Sequence, residues 1–153
     1  MLPITPGSLT AHYDLGDKGG TPAGLAFDIK NRILFVACRT PAPGTMVMLN
    51  ADDGKIIASV PLAGGSDGAV FNPTTIEAFS SVVVKENSPA SFAVEQVVQT
   101  MPSAKTLTLD SKTDHILLIG AETAPPPTPA PAGGRGGRGQ MVPGSFSILV
   151  VGK

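Results

Sequence analysis

A chain of 153 residues suffices for one domain, and a compact fold of that size buries roughly 68–70% of the surface its unfolded chain exposes. With 42% hydrophobic but only 5% aromatic residues and no Trp, any core rests on Val, Ile, Leu, Ala and Met, while 18 Gly and 15 Pro call for many turns. The net charge of −1 supplies no global field for nucleic acid or anionic lipid, and the lone Cys38 excludes an intrachain disulfide.

Residues Met1–Ser8 hold two Pro and one Gly without period and read as an irregular lead-in. The opening MLPITPGSLT has neither a basic flank nor a long apolar run, so it does not read as a signal peptide. No stretch reaches the roughly 20 apolar residues needed to span a bilayer. A soluble cytoplasmic product is expected, and Cys38 reads as a small core residue at a strand end.

The next segment, Leu9–Leu15, reads as a lone strand that aligns with the outermost strand of the unit following it. That unit, about Pro22 to Leu62, contains GLAF, ILFVAC, MVML and IIASV. Each run is bounded by Asp, Asn, Gly or Pro, which supply turn conformations that β-branched residues avoid. Turns are expected at Lys30–Arg32, Arg39–Thr45 and Asp52-Asp53-Gly54. The pattern returns as DGAVFN and as KTLTLD, so the markers Asp28, Asn72 and Asp110 stand 44 and then 38 residues apart. A period of about forty with four strands per unit is the signature of a β-propeller blade.

The second unit spans residues 67–100, with strands in DGAVFN, IEAFSS, VVVKEN and FAVEQVVQT. The third spans 104–153, with strands in KTLTLD, HILLIGA and SFSILVVGK. Residues 122–144, a Pro/Gly-rich interruption, have few large apolar side chains and read as a mobile linker. Arg135 and Arg138 stand there in a GGRGGRG context, but two arginines supply too few phosphate contacts to make it a nucleic-acid site.

PAGLAFDIKNRILFVAC followed by DDGKIIASVPLAGGSDGAVFN resembles the YVTN-type β-propeller repeat family, and the end of the chain looks like the closing blade of its bacterial members. The resemblance implies the C-terminal three-blade portion of a seven-bladed ring, in a family that is often exported, and names no activity. The fold class expected is therefore all-β, with three four-stranded blades. Propellers typically close with four to eight blades, so this arc leaves apolar faces exposed at both ends. A homodimer completes the ring to six blades if Leu9–Leu15 of one chain adds to the three-stranded last blade of the other. An excised piece of a longer protein is the alternative.

The rim loops that would carry function are Arg39–Thr45, Gly64–Asp67, Ser80-Ser81, Thr100–Lys105 and the segment from Glu122. One reading is a non-catalytic binding or scaffold module with a small-molecule ligand. The other is a metal-assisted hydrolase of phosphoesters, esters or lactones. In it, Asp67 and Glu122 would hold a divalent ion and activate water, while Lys105 and Arg39 would stabilise developing negative charge. Carboxylates suit Ca²⁺ or Mg²⁺, whereas Zn²⁺ would call on His12, His115 or Cys38, which lack any metal-binding spacing. Asp67 also reads as a simple turn residue. No P-loop, nucleophile elbow or dinucleotide fingerprint is present.

Overall fold

The computed structural model describes residues 9–64, 66–101, 104–125 and 139–152. Its eleven strands are β1 (Gly20–Asp28), β2 (Ile33–Thr40), β3 (Thr45–Asn50), β4 (Ile56–Pro61), β5 (Val70–Asn72), β6 (Glu77–Phe79), β7 (Val83–Ser88), β8 (Ser91–Gln96), β9 (Leu107–Asp110), β10 (His115–Gly120) and β11 (Ser147–Val151). They form three antiparallel meanders in chain order: two four-stranded sheets, β1–β4 and β5–β8, and one three-stranded sheet, β9–β11. These are blades one, two and three. The first strands touch in series, β1 to β5 to β9, and β4 meets β8 at the outer edge. The chain is therefore an all-β arc of the propeller type, with blades stacked face to face. No helix among the described residues is long and apolar enough to cross a membrane.

The repeated Asp/Asn marker is a turn device. Asp28, Asn72 and Asp110 end the first strand of their blades, and Oδ1 of each accepts the backbone N–H two residues on, from Lys30, Thr74 and Lys112 at 2.9, 2.9 and 3.0 Å. Four residues after each marker the chain enters the left-handed region, at Arg32 (φ 58°), Ile76 (φ 57°) and Asp114 (φ 59°). The β3–β4 hairpin repeats the arrangement: Asn50 Oδ1 accepts from Asp52 N–H at 2.7 Å and the left-handed position is Gly54, φ 73°. A side chain that copies a backbone turn explains why Asp or Asn recurs there.

The core lies between blades one and two. Each strand alternates its side chains between the two sheet faces. Ala26, Ile33, Phe35, Ala37, Met46 and Met48 face forward from blade one and meet Ala78, Val82 and Val84 of blade two, with Leu62 closing the rim. Phe35 stacks on Phe71 at 5.3 Å between centroids and meets Phe92 edge-on at 5.8 Å. Aromatic residues are few, yet three of the six Phe converge at this seam. Cys38 is fully buried, and burial pushes its thiol pKa up, as suits a packing residue.

Gly24 sets the separation of the innermost strands. A Cβ there would lie 2.4 Å from the Gly68 carbonyl carbon and 2.6 Å from Ala69 N. Gly68, four residues before its own marker as Gly24 is before Asp28, faces blade three, where a Cβ would lie 2.8 Å from the Leu107 Cδ2 methyl. The matching position in blade three is Thr106.

The N-terminal segment differs from the expectation. Residues 9–15 form no strand within the chain, so blade three has no fourth strand from this source. Tyr13 and Leu15 instead lie on the rear face of blade one with Pro22, Leu25, Leu34, Val36 and Leu49. The Tyr13 hydroxyl donates to Ala51 O at 3.1 Å, and its ring fills the space above Gly54. An amphipathic ring with an apolar face beneath it and a carbonyl at its tip is better satisfied there than in an isolated strand. Of the 122–144 segment, residues 122–125 and 139–144 are described, and the two stretches pair with each other. Thr123 bridges Met141, Ala124 N–H donates to Gln140 O at 2.8 Å, and Val142 N–H donates to Glu122 O at 2.9 Å. Arg135 and Arg138 lie outside the described residues.

Candidate functional site

Strand direction decides which loops meet. Each blade begins and ends its second strand at opposite rims, so the end of β2, the connection into β5, the end of β6 and the connection into β9 come together. Arg39, the seventh residue of β2, reaches across the blade junction. Its Nε donates to Ser66 O at 2.8 Å and its Nη2 to the Asp67 carboxylate. Lys105, just before β9, approaches the other Asp67 oxygen at 3.9 Å. One side chain from blade one, one from the connection into blade two and one from the connection into blade three thus form a single cluster.

The cluster carries two cations against one carboxylate, leaving one positive charge in excess. The side chains of Arg39, Lys105 and Asp67 are 45%, 41% and 25% exposed. Ion pairs this open contribute ~1 kcal/mol or less, so their consequence is geometric: they hold three blades in register at this rim. Beneath them the hydroxyls of Ser66, itself buried, and Ser80 lie against each other and against Gly68 O, 3.1 and 2.8 Å away, so their two protons serve three close oxygens. The sequence pointed to these loops, and Ser66 and Ser80 could have been picked out because each lies beside a strand end at the same rim.

Of the four residues considered for catalysis, Arg39, Asp67 and Lys105 are brought together. Glu122 is not a partner of any of them: its backbone N–H donates to Ser145 Oγ at 3.0 Å, and its carboxylate makes no ion pair among the described residues. Among the described residues no group of three or more His, Cys, Asp or Glu is placed to hold a metal ion. Both Asp67 oxygens face cations, which opposes water activation at that carboxylate. His12 is exposed on the N-terminal segment, and His115 begins β10 with its ring against Gly152. Neither hydrogen-bonds a serine among the described residues.

A second polar cluster escaped sequence reasoning. Asp28 and Glu86, each 3% exposed, meet at the opposite end of the seam between blades one and two, where Asn31 Nδ2 donates to Glu86 Oε1 at 2.7 Å. The available signal was a Glu two residues after Val84, on the buried face of VVVKEN. Burial raises the Glu86 pKa most, and the nearby Asp28 carboxylate raises it further, against an opposing effect of the Asn31 hydrogen bond.

No family model matches the chain, and no curated protein matches it by sequence. Among solved structures, the Cps50 (Swd1) β-propeller domain of Myceliophteria thermophila is similar over 64% of this chain, at 17% identity and a TM-score of 0.45. The match covers 35% of that domain, so this chain corresponds to about a third of its length.

Proposed function

We propose that the chain is a non-catalytic binding or scaffold module, a three-blade arc of YVTN type that completes its ring with a second copy. The observation that carries the reading is the pair of apolar faces at the two ends of the arc, open on blade three and only partly covered, by Tyr13 and Leu15, on blade one. On blade three, the cross-strand partners Ile119 and Ile148 and the partners Leu117 and Val150 share the forward face. Ile119, Ile148 and Val150 remain 43%, 64% and 60% exposed. On blade one, the rear face presents Leu25, 62% exposed, beside Leu34 and Val36.

Within the chain, a forward face of one blade packs on the rear face of the next. Extending that rule, the forward face of blade three in one copy fits the rear face of blade one in another, and two copies make six blades around a two-fold axis. Tyr13 and Leu15 occupy part of that rear face and would have to leave it. Thr106, standing where Gly24 and Gly68 stand in the other blades, would keep this junction wider near the axis. The rim cluster, with its excess positive charge and serine hydroxyls, suits a small anionic ligand at the channel mouth. No observation favours metal-assisted hydrolysis.

Light scattering coupled to size exclusion at micromolar concentration tests the assembly. The expected mass is twice the 15.5 kDa of the chain, reverting to a single chain in the double substitution Ile148→Lys and Val150→Lys. A monodisperse, stable monomer for the unaltered protein would sink the ring.

A further inference from the structure

The Asp28–Glu86 contact is a buried meeting of two acids with no cation among the described residues to balance it. The four ion pairs among the described residues involve neither residue. Asp28 Oδ1 is used by Lys30 N–H, and Asn31 Nδ2 takes Glu86 Oε1, while Glu86 Oε2 is buried with no donor. Charged groups on the packed elements point elsewhere. Arg32 is committed to Asp52 at 2.7 Å and lies over the Phe27 ring, and Lys30 is exposed. Lys85 and its cross-strand partner Glu77 alternate to the other face of blade two, where Lys85 donates to Thr75 O. On β8, the residue opposite Glu86 is Phe92.

We propose that Asp28 and Glu86 share one proton, and that this proton clamps blades one and two at the rim opposite Asp67. The donor that Glu86 Oε2 lacks is then its own hydrogen, directed at the Asp28 carboxylate. Two like charges in a dry site do not both ionise readily, so the pair carries one negative charge, with Lys30 N–H and Asn31 bracing it.

A carboxyl whose folded pKa lies above its unfolded value, about 4.3 for glutamate, adds stability that is fully present below that value. The contribution is lost as the pH rises through the folded pKa, because the folded protein must then either bury a second anion or open the seam. The clamp therefore loosens on alkalinisation, independently of whether the ring forms.

Urea unfolding across about pH 5 to 9, together with carbon-detected NMR titration of the Glu86 carboxyl in the unaltered protein, tests this. The wild-type midpoint is expected to fall as the pH rises, and that slope should flatten in Glu86→Gln, whose amide donates to Asp28 without a proton to lose. Asp28→Asn should flatten it too, since Asn72 shows that Asn makes the same turn. A Glu86 carboxyl already ionised at pH 6, or a Glu86→Gln variant with the wild-type slope, overturns the proposal. So does a midpoint at pH 8 that rises on adding calcium, which would put a cation where the proton is assigned.

Discussion

The close approach at Gly24 makes a quantitative prediction about how the arc is held. Carbon atoms in contact prefer about 3.5–4.0 Å. The Cβ of Gly24→Ala would lie 2.4 Å from Gly68 C, 2.6 Å from Ala69 N and 2.8 Å from Gly68 Cα, all of them backbone. Relief therefore requires β1 and the entry to β5 to separate by about 1 Å, and no side-chain rotation can substitute for that. The Gly68 carbonyl is moreover fixed by Ser66 and Ser80. Overpacking of this kind costs ~1–3 kcal/mol, offset by the ~0.5–1 kcal/mol that Ala gains over Gly in a strand. Because all three contacts are to backbone, the cost falls in the upper half of that range, and the net expectation for Gly24→Ala is a loss of about 1–2.5 kcal/mol.

Gly68→Ala should lose less, because its nearest neighbour at 2.8 Å is the Leu107 Cδ2 methyl, which can turn away. Gly120→Ala is the control. Its Cβ would meet Met101 Sδ at 3.4 Å, an ordinary contact, so it should be neutral or stabilising. Urea unfolding of the three variants measures the order. With a slope of about 2 kcal/mol per molar, Gly24→Ala should lower the midpoint by roughly 0.5–1.2 M. A Gly24→Ala protein as stable as the wild type would refute the idea that innermost strands are spaced by glycine.

Further tests address the N-terminal segment and the turns. In Gly54→Ala the new Cβ would fall 2.2 Å from Tyr13 Cδ1, so the segment should lift off blade one. Tyr13 is the sole tyrosine and there is no Trp, so acrylamide quenching of its fluorescence reads this directly and should increase. The Thr113 hydroxyl, then the Lys112 backbone N–H, hold the Asp110 carboxyl below its usual range. Its stabilising contribution is present above the unfolded pKa and lost as the pH falls through the folded one, so Asp110→Ala should flatten the acid limb of the stability profile. An unchanged acid limb would show that the Asx turn of blade three is not linked to folding.

The turn chemistry and the eleven strands were legible in the chain because they are local. A run of Val, Ile and Leu ended by Asp or Asn states its own conformation, and the 44- and 38-residue spacing of Asp28, Asn72 and Asp110 repeats it. The rim was legible in part, since strand direction alone brings the loops of Arg39, Asp67 and Lys105 to one side. That Asp67 would be taken by both cations, and that Glu122 would be tied through its backbone to Ser145, was not. Such pairing depends on side-chain reach across blade junctions. Leu9–Leu15 shows the same limit, because its pattern fits a strand as well as a strap, and only the apolar rear face of blade one, with Ala51 O waiting for the Tyr13 hydroxyl, selects between them. The meeting of Asp28 with Glu86 lies furthest from sequence: two acids 58 positions apart become neighbours only when two sheets pack, and the dry contact between those sheets is what changes their chemistry.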